Sequence, residues 1–160
     1  MAGGSSGVAS GARHPVTIVD TTVWIEFFRG TDTPEVLELQ RLIEASEDVC
    51  ICGVILTEVL QGIREDKDHA AASAAFEAFL FLPMTQRTFI QAADLYRTLR
   101  RKGVTIRNVV DCLIASVAIE HDIPVLHNDR DFAAIATLGK LKVVKTRERP
   151  TRKSVRLRRP

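Results

Sequence analysis

Apolar positions along this chain fall into two patterns. Short β-branched or thiol-containing runs, Thr17-Ile18-Val19, Val49-Cys50-Ile51-Cys52 and Pro124-Val125-Leu126, read as buried strands. Between them lie longer stretches whose apolar side chains recur every three or four residues, the spacing of one helical face. The first strand ends at Asp20-Thr21-Thr22 and hands over to a short helix, Val23 to Arg29, stopped by Gly30. Thr33-Pro34-Glu35 starts the next, with a hydroxyl cap, Pro at the first helical position and an acid in the first turn; Val36, Leu39, Leu42 and Ile43 carry it to about Ser46.

The strand at 49–52 leads into a helix with Ile55, Leu56, Val59, Leu60 and Ile63 on one face and Glu58 beside it. An Ala-rich helix from Asp68 to Phe79 and an edge strand at Phe81-Leu82-Pro83 follow. The helix predicted over Thr85 to Lys102 lines up Phe89, Ala92, Tyr96 and Leu99, and Arg100-Arg101-Lys102 with Gly103 is a stop signal. Asn108 opens a helix buried through Val110, Leu113, Ile114 and Val117. After the strand at 124–126 come a short helix, Asp131 to Leu138, with Asp131 as a natural N-cap, and a last strand, Leu141 to Lys145. Short strands alternating with longer helices predict an α/β fold: a three-layer α/β/α sandwich around a central, mostly parallel sheet of four to five strands.

At 160 residues and 46% hydrophobic content the chain is one domain with a real core and no room for a second. Three cysteines, Cys50, Cys52 and Cys112, argue against a disulfide framework and for a reducing, cytoplasmic setting. Cys50 and Cys52 read as core thiols, because no His or Cys at a recognisable spacing completes a metal site. His14, His69, His121 and His127 form no HExxH-like pattern. No apolar run approaches the roughly 18 residues of a spanning helix.

The net charge of +2 conceals a division along the chain. Residues 146–160 hold seven basic side chains against Glu148, a net of +6, whereas residues 17–145 hold 14 basic and 19 acidic, a net of −5. The expected organisation is a Gly/Ser-rich disordered leader or linker at 1–15, a folded domain at 16–145 and a basic, disordered tail at 146–160.

Four carboxylates occupy comparable places in this layout. Asp20 ends the first strand, Glu58 lies in the helix after the second, Asp111 in the first turn of a later helix, and Asp129 just beyond another strand. Singly, each has a local explanation: Asp20 as a helix cap, Asp111 completing a box with Asn108, Glu58 as a solvated helix residue. Together they share one edge, since strand C-termini and the following helix N-termini coincide in a parallel sheet. Converging carboxylates repel unless a cation neutralises them, and an all-oxygen cluster suits Mg²⁺ or Mn²⁺. Such a site hydrolyses phosphodiesters, with Thr22 as a hydrogen-bonding support.

At these residues the chain resembles PIN-domain ribonucleases of the VapC toxin type, from bacterial toxin–antitoxin pairs. The matching pieces are I-V-D-T-T-V-W-I-E-F-F at 18–28, L-T-E-V-L-Q-G at 56–62, V-V-D-C-L-I-A at 109–115 and L-H-N-D-R-D-F at 126–132, and the likeness spans about residues 16–145. The resemblance implies metal ligands at Asp20, Glu58, Asp111 and Asp129, with Asp131 an additional acidic participant and Thr22 the hydroxyl of the opening motif. It further implies a Mg²⁺- or Mn²⁺-dependent endoribonuclease, a homodimer, and a VapB-type antitoxin whose C-terminal segment enters the active-site groove. His127 stands where a small hydroxyl residue is more usual, and the leader and tail lie outside the family pattern.

Arg97, Arg100, Arg101, Lys102 and Arg107 form the strongest basic group of the domain. Arg100 to Lys102 equally suit a solvated helix end, so Arg107, near Asp111, is the expected RNA contact. Competing readings are a PIN nuclease that processes nucleic acid without an antitoxin, and a degenerate domain that binds RNA or a partner without cutting. A receiver-like phosphoacceptor domain also places acids at strand ends, but this chain has no Lys in the matching late-strand position, since Lys140 and Lys142 come too late.

Overall fold

The computed structural model describes residues 15–146, so all of the leader but Pro15 and all of the basic tail but Thr146 lie outside the described residues. In chain order the elements are β1 (Val16–Val19), α1 (Thr21–Phe28), α2 (Pro34–Glu44), β2 (Asp48–Cys52), α3 (Gly53–Gln61), α4 (Asp66–Phe76), β3 (Leu80–Leu82), α5 (Gln86–Arg101), α6 (Val109–His121), β4 (Val125–Leu126) and α7 (Arg130–Ala136). The four strands form one parallel sheet in the order β3-β2-β1-β4.

That order places the functional edge. The chain moves outward from β1 through β2 to β3, then returns to lay β4 on the other side of β1. Strand order therefore reverses at β1, and in open α/β sheets a crevice forms at the carboxyl ends of the strands flanking such a reversal. Asp20 is the first residue beyond β1, and its N–H donates to the Leu126 carbonyl at 2.9 Å, which fixes the end of β1 against β4.

Helices on both faces explain why the strands are apolar without alternation. Ile18, Val19, Cys50, Ile51, Cys52, Val125 and Leu126 are all buried, and the three cysteines are free thiols within the core. Trp24 of α1 is fully buried; its indole N–H donates to the Val19 carbonyl at 3.1 Å, and its ring lies 5.0 Å from Phe76 and 4.8 Å from Phe79. One side chain thus ties α1 to the end of β1 and to the α4–β3 connection. Thr33 caps α2 by accepting the Val36 N–H at 3.2 Å, as its hydroxyl and the following Pro34 predict. Among the described residues, no helix is long and apolar enough to cross a membrane.

Four expectations are corrected. The helix α1 begins at Thr21, two residues early, because Asp20 itself is the cap. The Ala-rich helix spans Asp66–Phe76 instead of ending at Phe79, since the chain must extend into β3 by Leu80. Phe89 is half exposed: Thr88 takes the inward position, donating to Glu120 Oε2 at 2.9 Å, and turns the neighbouring ring outward. The strand expected over Leu141 to Lys145 is a single bridge, Val143 to Val125, because β4 is only two residues long.

Candidate metal centre

Asp20 is 2% exposed and sits at the N-terminus of α1, where one Oδ2 accepts both the N–H of Thr22, at 3.0 Å, and its hydroxyl. The capping reading and the site reading of Asp20 are thus one geometry: the cap holds the carboxylate rigid at the sheet edge. Burial raises its pKa, and the Thr22 hydrogen bonds partly offset this. Thr22 holds the Asp20 carboxylate through both its main-chain and its side-chain donor.

Glu58 projects from α3, and its Oε2 accepts the Thr21 hydroxyl at 2.7 Å. Asp111 lies in the first turn of α6; the Asn108 side chain caps that helix by accepting the Val110 N–H at 3.1 Å. Asp129 caps α7, accepting the Asp131 N–H at 2.9 Å, so the cap is Asp129 and not Asp131. The correction has a simple cause: the chain stays extended through Asp129 and turns helical at Arg130, which leaves Asp131 in the first turn, facing inward and 6% exposed.

All five carboxylates share a cleft of about 270 Å³ with Thr21, Thr22, Arg107 and Asn108. Within it, Asp111, Asp129 and Asp131 each offer an oxygen, and these oxygens lie within 4.8 Å of one another, a span one cation bridges. A roomier cavity of about 460 Å³, lined by Ile25, Phe28, Val59 and Ile63 among others, holds none of these five acids. The chemistry belongs to the smaller cleft.

The acids of the cleft strain one another. Burial, and then the charges of Asp20, Asp129, Asp131 and Glu58, push the Asp111 carboxyl up to about 7. Among the described residues lining the cleft the metal-binding groups are carboxylates and hydroxyls, with no imidazole or thiol, a donor set that fits a hard divalent cation. Asp20, Glu58, Asp111, Asp129 and Asp131 could hold one.

The raised pKa has a measurable consequence. Asp111 titrates near 3.8 when unfolded and near 7 when folded, so between those values the folded protein holds the extra proton. Stability of the metal-free protein therefore falls as pH rises through this window, and Asp20 acts in the same direction. Melting temperature in chelator should be lower at pH 8 than at pH 6, and Asp111→Asn should flatten the slope. An unchanged slope in that variant would mean that Asp111 is not the strained group.

Three features escaped the sequence. The Thr21 hydroxyl on Glu58 was hidden behind the more visible Thr22. Arg107, the expected RNA contact, also reaches the acids: its guanidinium lies 2.6 Å from Asp129 Oδ1 and 3.5 Å from Asp131 Oδ1, and its main-chain N–H donates to Asp131 Oδ2 at 2.9 Å. His127 takes up a local role, its Nδ1 accepting the Asp129 N–H at 3.3 Å while its ring lies 5.0 Å from Phe132. Burial lowers its pKa, which keeps the imidazole neutral and Nδ1 able to accept.

Fold and cleft together define a parallel α/β domain with a cluster of carboxylates at the switch point of its sheet. The PIN domain profile matches residues 17–138, and the chain belongs to the PIN-domain family. It is 34% identical over 132 residues to ribonuclease VapC11 of Mycobacterium tuberculosis, covering 81% of this chain and 98% of the relative. The same figures hold for VapC ribonuclease Mb1587 of Mycobacterium bovis. Among solved structures, VapBC2 from Rickettsia felis, bound to a DNA fragment from its promoter, superposes with a TM-score of 0.65 at 20% identity, covering 81% of this chain and 97% of that one.

Proposed function

We propose that this protein is the toxin of a type II toxin–antitoxin pair, an endoribonuclease that hydrolyses RNA phosphodiester bonds at the five-carboxylate cleft. The observation that carries the reading is the gathering of Asp20, Glu58, Asp111, Asp129 and Asp131 in one cleft of a PIN domain. The near full-length match to relatives named VapC ribonucleases supports the substrate class, and the solved VapBC pairs support a VapB-type antitoxin as partner.

Bound in this cleft, Mg²⁺ or Mn²⁺ would supply positive charge to the phosphodiester and a water acidified for attack. The protein's own part is positioning. Thr22 and the α1 N-terminus hold Asp20, Thr21 holds Glu58, Asn108 fixes the start of α6 beneath Asp111, and the cap of α7 sets Asp129 and Asp131 side by side. With the acids neutralised, the cleft can receive an anionic backbone that five bare carboxylates would repel. The working unit in this reading is residues 16–145, acting as a homodimer, with the leader and basic tail dispensable.

Expression in a bacterial host tests the assignment. Induction of the wild-type chain should arrest growth, and co-expression of the neighbouring reading frame should restore it. RNA cleavage by the purified protein without arrest or rescue would favour a PIN nuclease that works without an antitoxin.

A further inference from the structure

Among the described residues lining the acidic cleft, Arg107 carries the only positive side chain. Its guanidinium sits on Asp129 Oδ1 at 2.6 Å and near Asp131 Oδ1 at 3.5 Å, two of the three carboxylates whose oxygens are close enough to share one ion. Asp129 Oδ1 therefore already accepts two N–H groups, from Arg107 and from the Asp131 main chain. A guanidinium and a divalent cation cannot both take the same lone pairs.

The two holds that Arg107 has on the cleft differ in kind. Its main-chain N–H bond to Asp131 Oδ2 is part of the fold and positions that carboxylate. Its side chain, by contrast, is 58% exposed and reaches the acids from the connection between α5 and α6. Ion pairs made by exposed side chains are weak, so the guanidinium can leave while the backbone stays in place.

We propose that Arg107 is a displaceable counter-cation: it occupies the oxygens of Asp129 and Asp131 in the metal-free protein and vacates them for a divalent ion, so that it sets the metal concentration at which the site fills. The inference rests on the metal-centre reading above. It makes Arg107 a brake on metal loading, a role distinct from contact with RNA. The guanidinium also offsets part of the repulsion among the clustered acids, at Asp129 and Asp131.

The test is Mn²⁺ binding to the metal-stripped full chain, measured by calorimetry for wild type and Arg107→Gln. The variant should bind more tightly by roughly tenfold, the scale on which water-screened repulsion from one unit charge about 5 Å away acts on a divalent ion. In chelator it should melt below wild type, and saturating Mn²⁺ should close that gap. Equal or weaker Mn²⁺ binding by the variant, or a melting gap that Mn²⁺ leaves unchanged, overturns the counter-cation role. Failure of both proteins to bind Mn²⁺ overturns the metal centre itself, and this inference with it.

Discussion

Asp111→Asn should lower RNA cleavage by more than about 100-fold, the upper end of what loss of a mere supporting contact costs at a metal site, while the domain remains folded. Asparagine keeps the shape of the side chain and one oxygen, so α6 and its Asn108 cap are untouched. What disappears is a charge that the fold holds at a cost, as the carboxyl pushed up to about 7 records. The metal-free variant should therefore melt at or above wild type at pH 8, where wild-type Asp111 is ionised against its neighbours. Asp20→Asn should also abolish cleavage, by removing a charged oxygen donor, and leave the fold intact, because an amide oxygen still accepts from Thr22 and Asn is as good a cap as Asp. Lost cleavage with undiminished stability is the signature of a ligand; lost stability with it would indicate a merely structural carboxylate.

The largest stability effect is expected at Trp24. Removing a fully buried aromatic side chain costs about 3–5 kcal/mol, and Trp24→Ala should lose that much in urea unfolding. Trp24→Phe separates two contributions. It keeps a ring against Phe76 and Phe79 but removes the indole N–H that donates to the Val19 carbonyl at 3.1 Å, so about 1–3 kcal/mol should go with the hydrogen bond and part of the packing. Because Val19 directly precedes Asp20, the Phe variant should also loosen the carboxylate's seat. Equal stability of Trp24→Phe and wild type in urea would show that the indole bond does not brace the end of β1.

How much of this was readable from the residues depended on the kind of interaction. The edge on which Asp20, Glu58, Asp111 and Asp129 gather was readable, because a parallel sheet forces strand ends and following helix starts to one side whatever the details. Boundaries at that edge were less so, since the same carboxylates that face the cleft also cap helices: Asp20 starts α1 two residues early, and Asp129 displaces Asp131 as the cap of α7. Phe89 shows a second limit. Periodicity assigns an aromatic ring to the core, but the buried Thr88 hydroxyl, bonded to the half-buried Glu120 carboxylate, takes the inward position and leaves the ring facing out. Arg107 shows a third, because nothing in linear spacing announces that a loop arginine and residues 22 and 24 positions later will meet as an ion pair.

These pieces make the cleft a compromise between folding and chemistry. Its acids are fixed by caps and hydroxyls that the fold needs in any case, yet their mutual repulsion is relieved only in part by burial-raised pKa values and by Arg107. The most direct test of the account is cleavage of RNA by the purified protein with Mg²⁺ or Mn²⁺, set against chelator and against the Asp20→Asn, Asp111→Asn double variant. The account predicts discrete fragments only for the wild type with a divalent ion present. Fragments formed equally in chelator, or by the double variant, would contradict it.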